Sequence, residues 1–170
     1  PQPGAAGWGP VHRQALLQAF EHAAGRMERG GLVGRTAFWM AEQTRQRHEL
    51  MAWLHADSQK VSERGAQVLA SEHRFGTAQQ PPAVVHLADG ATVQMRGAVD
   101  RIDRCADGSL VVTDHKTGGA TSYKGISEAD PTAAGTRFQL PAYAAAALAI
   151  TGMPAGTPVL AEYGFFAKGG

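Results

Sequence analysis

The pattern of hydrophobic and polar positions changes its period part-way along the chain. In residues 11–24 apolar side chains recur every three or four positions, which predicts a helix with one buried face. A second helix is predicted over residues 36–55, and a third begins at Asp57 or Ser58 and ends at residue 69, because either side chain can satisfy free amides at a helix start. The core candidates of the second helix are large and apolar: Phe38, Trp39, Leu50, Trp53 and Leu54.

The following residues alternate as strands do, between turn signals at Pro81-Pro82 and Asp89-Gly90. Five strands are predicted, at residues 72–75, 83–87, 92–96, 99–102 and 110–114. A polar stretch over residues 118–136 has no clear period, and we expect it to border the substrate path. An alanine-rich helix over residues 138–150 and a last strand over residues 159–166 complete the pattern. This order predicts an α/β fold with a mixed sheet flanked by helices, preceded by a helical N-terminal half.

The last two strands before the polar stretch form a predicted hairpin, because an Asp-Gly turn pair at residues 107–108 joins them. Side chains alternate along a strand, so Asp114 and Lys116 share one face and His115 lies on the other. Asp100 joins them if the register places it opposite, and two close carboxylates repel unless a cation or a proton lies between them. Mg²⁺ or Mn²⁺ suits such oxygen ligands. Lys116 can then orient or deprotonate an attacking water, or stabilise charge on a phosphoryl group.

Composition is that of a folded chain, with 44% hydrophobic and 18% charged residues among 170. We expect an arm over residues 1–10 and a single domain over residues 11–170, with a helical part at 11–70 and a catalytic part at 71–170. Sixteen basic and fifteen acidic residues give a formal charge of +1, so any nucleic-acid contact must come from a local patch.

A single cysteine, Cys105, allows no internal disulfide and cannot supply the four thiolates of an iron–sulfur cluster, so we expect neither. No apolar run is long enough to span a bilayer and no secretory pattern opens the chain, which indicates a cytoplasmic protein. The chain starts without methionine and stops abruptly, as we expect of a piece of a longer protein.

Three short motifs follow one another at residues 100–103 (DRID), 114–118 (DHKTG) and 139–143 (QLPAY). Asp100 followed by Asp114-His115-Lys116 resembles the D…(D/E)xK signature of the PD-(D/E)XK nuclease superfamily, and the ordered set is similar to its RecB and AddB branch. The resemblance implies a restriction-endonuclease-like core and Mg²⁺- or Mn²⁺-dependent hydrolysis of DNA. It also implies a helicase domain or subunit as partner, double-strand break processing in recombinational repair, and a place at the bacterial nucleoid.

The resemblance also implies roles for individual residues. It selects Asp100 over the rival carboxylate Asp103, which alternation places on the opposite face. Asp100 and Asp114 are implied to hold the metal with the His115 carbonyl. His12 fits the family's G-x-x-H context for a metal-binding histidine on an early helix, although a lone histidine on an amphipathic helix is more often structural or solvated.

Gln139 and Tyr143 are four residues apart on one helical face, so both can reach one site. They resemble the family's QxxxY motif, which implies support of the active site and DNA; ordinary helix packing is the alternative. Arg101, Lys124 and Arg137 can contact DNA phosphates. The alternative is that they are ordinary solvent-exposed surface residues. Glu72 lies where members of the family often have an acidic residue, but we do not include it among the main candidate site residues.

Two other functions remain open from the sequence. One is a nuclease-like scaffold without activity that binds DNA or a partner subunit. The other is a metal-dependent hydrolase that acts on a different phosphoester. Spacing also leaves open whether one or two metal ions act.

Overall fold

The computed structural model describes residues 2–4, 6–87 and 89–166. The chain divides into two compact units, Pro1–Gly65 and Ala66–Gly170. Parts of the predicted arm (residues 1 and 5) and of the predicted catalytic part (residues 88 and 167–170) lie outside the described residues.

The first unit contains two helices, α1 (Pro10–Arg29) and α2 (Thr36–Arg64). Proline is favourable at the first position of α1, because that position has no intrahelical partner for an amide hydrogen. Gly65 ends α2 with φ of 56°, a left-handed conformation that glycine adopts without strain. The helical character predicted for this part of the chain is confirmed.

The third helix predicted from Asp57 or Ser58 to residue 69 is wrong. Both residues lie inside α2, and the following strand begins at residue 67. Asp57 Oδ2 accepts a hydrogen bond from the Trp8 indole at 2.6 Å, and Ser58 Oγ accepts one from the Trp8 backbone amide at 2.8 Å. The polar side chains that suggested a helix start therefore fix the segment before α1 instead. Phe38, predicted as core, is 71% exposed.

The second unit is α/β and contains these elements: β1 (Gln67–Phe75), β2 (Ala83–His86), β3 (Thr92–Met95), β4 (Gly97–Arg104), β5 (Leu110–Lys116), α3 (Gln139–Thr151) and β6 (Val159–Phe165). Strands β1, β4, β5 and β6 form one sheet in that order, while β2 and β3 pair separately. Strand β6 runs parallel to β5 and the other neighbours are antiparallel, so the predicted mixed sheet is confirmed.

One face of this sheet packs against α3. Ile102 on β4 pairs with Val112 on β5, and both are buried with Ala146 of α3. Because side chains alternate, the same face of β4 and β5 also carries Asp100 and Asp114. The apolar core therefore gives way to ionisable groups where the pairing of these two strands ends.

Candidate active site

Asp100 and Asp114 lie opposite each other where the backbone pairing of β4 with β5 ends. Arg101 pairs with Thr113 in the antiparallel register, which places the next two residues, Asp100 and Asp114, opposite each other. The backbone N–H of His115 donates a hydrogen bond of 2.6 Å to Asp100 Oδ2. The register that the predicted carboxylate pair requires is thus present.

The Asp114 carboxylate is almost fully buried, at 3% exposure, and both its oxygens contact polar side chains. Oδ1 accepts a hydrogen bond of 3.0 Å from Gln139 Nε2. Oδ2 forms an ion pair with Lys116 Nζ, as expected for two residues on one strand face. Burial of an ionised carboxylate is costly unless such partners are present, and here they come from β5 itself and from α3.

The Gln139 amide forms hydrogen bonds with three other side chains of the site. Besides Asp114, its Nε2 donates to the Tyr143 hydroxyl at 2.9 Å, and its Oε1 accepts from the Tyr163 hydroxyl at 3.3 Å. The Tyr143 ring packs edge-on against the buried Phe75 at 6.3 Å. The structure therefore brings the two residues of the QLPAY motif to the Asp114 carboxylate.

Local electrostatics keep Lys116 charged. Partial burial alone would lower the pKa of its ammonium, but the hydrogen bond and charge of Asp114 outweigh this, so the Lys116 pKa is raised. Burial and the nearby Asp114 charge raise the pKa of Tyr143 and of Tyr163, so both phenols keep their protons. In this structure Lys116 is suited to stabilise negative charge and to orient a water, since removal of its proton is disfavoured.

Two aromatic rings lie near the Lys116 ammonium. Its Nζ lies 5.4 Å from the Tyr163 ring centroid and 6.0 Å from that of Tyr123. Tyr123 also contacts Phe165, and the Arg137 guanidinium carbon lies 4.9 Å from the Tyr123 ring.

A cavity of about 900 Å³ borders these rings. It runs along β6 and is lined by the polar stretch that follows β5, by the start of α3 and by Tyr123, Tyr163 and Phe165. Lys124 and Glu128 also line it, so its wall carries both charges.

The profile of the PD-(D/E)XK nuclease superfamily matches residues 9–169. The chain belongs to the PD-(D/E)XK nuclease superfamily. No curated protein is similar enough to the chain to count as a match. None of the helices in the described residues is long and apolar enough to cross a membrane.

The superfamily's divalent-metal chemistry fits the oxygen donors of this site. Among the described residues no three His, Cys, Asp or Glu side chains form a metal-holding group. Mg²⁺, however, is usually held by only one or two carboxylates together with waters and substrate phosphate. Asp100 and Asp114 supply two carboxylates. The His115 carbonyl points to the Asp100 side of β5, because its own N–H does so and the next carbonyl, of Lys116, accepts on the other side from Phe166, the residue after β6.

Arg101 and Asp103 lie on the opposite face of β4 from Asp100. Asp103 is 2% exposed, and its Oδ2 lies 2.9 Å from Arg101 Nε. Alternation thus separates the two candidate aspartates as expected. The structure does not bring Arg101 to the site, and contact with a DNA phosphate stays a prediction for this buried side chain.

His12 lies in the first turn of α1, in the other unit. Its Nδ1 accepts a hydrogen bond of 3.1 Å from the Gly9 backbone amide, and its ring contacts Trp8. A neutral imidazole that accepts at Nδ1 carries its proton on Nε2. Metal binding through Nε2 would therefore require the proton on Nδ1, and the ligand role of His12 stays a prediction.

Glu72 lies on β1 between two residues that pair with β4 on either side of Asp100. Its φ is 50°, which is unusual for a residue other than glycine and turns the chain locally out of the strand conformation. Its side chain is exposed.

Sequence reasoning missed Tyr163 and Tyr123 as residues of the site. The strand containing Tyr163 was predicted, but its parallel register, which places Tyr163 beside Asp114, depends on a crossover through α3. Tyr123 lies in a short 3₁₀ helix (Ala120–Tyr123) within the stretch that showed no period. An aromatic residue with a hydroxyl on the buried face of a strand was the available signal for Tyr163.

Proposed function

We propose that this chain is the metal-dependent DNA-cleaving domain of a RecB- or AddB-type helicase-nuclease. The observation that carries the proposal is the gathering of Asp100, Asp114, Lys116 and Gln139 at one end of the sheet. Membership of the superfamily supports phosphodiester hydrolysis as the reaction. The ordered DRID, DHKTG and QLPAY motifs support the RecB and AddB branch.

Asp100 and Asp114 would hold Mg²⁺ or Mn²⁺, with the His115 carbonyl as a further oxygen ligand. When bound, the cation would lower the pKa of a water and neutralise charge on the scissile phosphate. Lys116 is held by Asp114 as an ammonium, so it orients the attacking water and stabilises the negative charge that builds on the phosphoryl oxygens. Gln139 holds Asp114 Oδ1 and thereby fixes the carboxylate's orientation.

The DNA strand is proposed to reach the site along the cavity beside β6. Tyr123, Tyr163 and Phe165 offer flat apolar surface there, on which bases of a single strand can stack. Lys116 and Arg137, both in contact with the Tyr123 ring, provide positive charge for the phosphates.

A helicase domain or subunit is the proposed partner, which would deliver strands from double-strand ends during recombinational repair. A formal charge of only +1 supports this arrangement, because the domain has no strong overall attraction of its own for DNA.

The proposal is tested by incubating the protein with linear single- and double-stranded DNA in Mg²⁺ or Mn²⁺ and separating the products on a denaturing gel. Cleavage should require metal and should be lost in Asp114→Asn and Lys116→Met. Asp89→Asn is the matched control, because Asp89 lies in the turn between β2 and β3, does not line the cavity, and its Oδ1 accepts from the Ala91 amide, a contact that asparagine can keep.

A thermal-shift titration with Mn²⁺ separates the alternatives when no cleavage is seen. A site that binds metal stabilises the folded protein by mass action. Stabilisation without cleavage would point to a requirement for the helicase partner. A folded protein with neither cleavage nor stabilisation would overturn the proposal in favour of an inactive scaffold.

A further inference from the structure

Tyr163 contacts both side chains that neighbour the Asp114 carboxylate. It lies beside Asp114 in the parallel pairing of β6 with β5. Its hydroxyl donates a hydrogen bond of 3.3 Å to Gln139 Oε1, and its ring centroid lies 5.4 Å from Lys116 Nζ. Tyr163 thus contacts both the Gln139 amide, which binds Asp114 Oδ1, and the Lys116 ammonium, which binds Asp114 Oδ2.

The hydroxyl of Tyr163 favours one orientation of the Gln139 amide. A side-chain amide has a donor end and an acceptor end. In this structure the donor end serves Asp114 and Tyr143, and the acceptor end faces Tyr163. If the amide were turned over, Oε1 would face the Asp114 carboxylate, and two acceptors would repel each other. A hydroxyl that donates to Oε1 therefore helps to keep the NH₂ group on the carboxylate.

Tyr163 retains the proton that this contact needs, since burial, and then the Asp114 charge, raise the pKa of its phenol. The ring has a separate effect. Its π face attracts a cation, so Lys116 Nζ is held between the ring and Asp114 Oδ2. The two contacts can be removed one at a time, because phenylalanine keeps the ring and leucine keeps neither.

We propose that Tyr163 is a positioning residue of the nuclease site. Its hydroxyl holds the Gln139 amide with the NH₂ group toward Asp114, and its ring holds the Lys116 ammonium beside the same carboxylate. The consequence for catalysis rests on the proposed function, whereas the two contacts can be tested without it.

The hydroxyl is tested by a double-mutant cycle with Tyr163→Phe and Gln139→Ala. Loss of one neutral hydrogen bond should lower kcat about three- to tenfold and leave KM for DNA unchanged. The same change should have no further effect in the Gln139→Ala background, because the hydroxyl acts through that amide. An equal loss in both backgrounds would overturn the proposal.

Side-chain amide signals in ¹H–¹⁵N NMR give a readout that needs no cleavage. Those of Gln139 should shift in Tyr163→Phe and stay in place in Tyr123→Phe, since the Tyr123 hydroxyl makes no hydrogen bond to any described residue. Unchanged Gln139 signals in Tyr163→Phe would also overturn the proposed role of the Tyr163 hydroxyl. If the wild type neither cleaves DNA nor is stabilised by Mn²⁺, the proposed function fails while these signals still decide the role of Tyr163.

The ring is tested by comparing Tyr163→Leu with Tyr163→Phe. The NMR signals of the Lys116 side-chain protons, which the ring current of a nearby aromatic face moves upfield, should move downfield in the leucine variant, because the ammonium loses the π face. Equal Lys116 signals in the two variants would refute the role of the ring. Tyr163→Phe also reports on this role if Tyr163→Leu does not fold, since it should keep the Lys116 signals of the wild type, and a clear downfield shift there would count against the ring.

Discussion

The His115 backbone amide donates a hydrogen bond of 2.6 Å to Asp100 Oδ2 and so joins the middle of β4 to the end of β5. The backbone pairing of β4 with β5 ends at Arg101 and Thr113. At the next position the Asp100 side-chain carboxylate accepts the hydrogen bond that a backbone carbonyl of β4 would otherwise accept. This contact fixes Asp100 beside Asp114 even though the two negative charges repel. The other oxygen of Asp100 accepts no hydrogen bond from the described residues, which leaves it available to a cation.

Asp100→Asn should abolish cleavage without unfolding the protein. The asparagine Oδ1 can still accept from His115, but the charge that attracts a cation is gone. We expect a loss of about 100-fold or more in kcat, typical for removal of an electrostatic contribution to the transition state. Thermal unfolding should change little, because the local hydrogen bond is kept.

Asp103→Ala is the matched comparison on the opposite face of β4. This change removes the Asp103 carboxylate that lies beside the buried Arg101 guanidinium, which should lower the free energy of unfolding by about 3 kcal/mol. The protein that remains folded should still cleave DNA. The assignment of the two aspartates would be refuted if Asp103→Ala removed activity at full stability while Asp100→Asn kept it.

The Asp114–Lys116 ion pair should stabilise the folded protein at neutral pH and should lose this effect in strong alkali. The Lys116 pKa is raised above its ordinary value of 10.5, so the pair contributes stability that is fully present below that value and is lost as the pH rises through the folded-state pKa. Urea unfolding of wild type and Lys116→Met at several pH values checks this. The difference in free energy of unfolding should be constant near neutral pH and should shrink above pH 10.5. A difference that stayed the same up to the highest pH at which the protein folds would contradict the ion pair's contribution.

Tyr123→Ala should weaken binding of single-stranded DNA. Stacking of one base on an aromatic side chain is worth about 1–3 kcal/mol, so the dissociation constant should rise by about five- to 150-fold. Fluorescence anisotropy with a labelled oligonucleotide in EDTA measures this without cleavage. Phe38→Ala is the control, since it removes an aromatic ring that is 71% exposed on α2 and does not line the cavity. An equal effect of both changes would argue against base stacking at Tyr123.

The hairpin and the residues it carries were predictable from sequence because the signals are local. The Asp-Gly turn, the apolar run of β5 and strict alternation place Asp114 and Lys116 on one face without any knowledge of the rest of the fold. Gln139 and Tyr143 were predictable as a pair for the same reason, since four residues make about one helical turn.

The remaining parts depend on contacts between distant segments, which no local period encodes. The parallel pairing of β6 brings Tyr163 to Asp114 from 49 positions along the chain. Trp8 donates a hydrogen bond to Asp57 inside α2, which the sequence pattern predicts as two helices. Polar side chains at such places look like helix caps until their partner is known.

Mg²⁺ should disturb the start of α1 if His12 is a metal ligand. In this structure the Gly9 amide donates to His12 Nδ1, and ligation through Nε2 requires the imidazole proton on that same Nδ1. The Gly9 amide would then lose its acceptor. We therefore expect the Gly9 signal in ¹H–¹⁵N NMR to shift and its hydrogen exchange to quicken during an Mg²⁺ titration, and His12→Ala to lower the Mg²⁺ affinity. A Gly9 signal that is unaffected by Mg²⁺, with unchanged affinity in His12→Ala, would restrict His12 to the start of the helix.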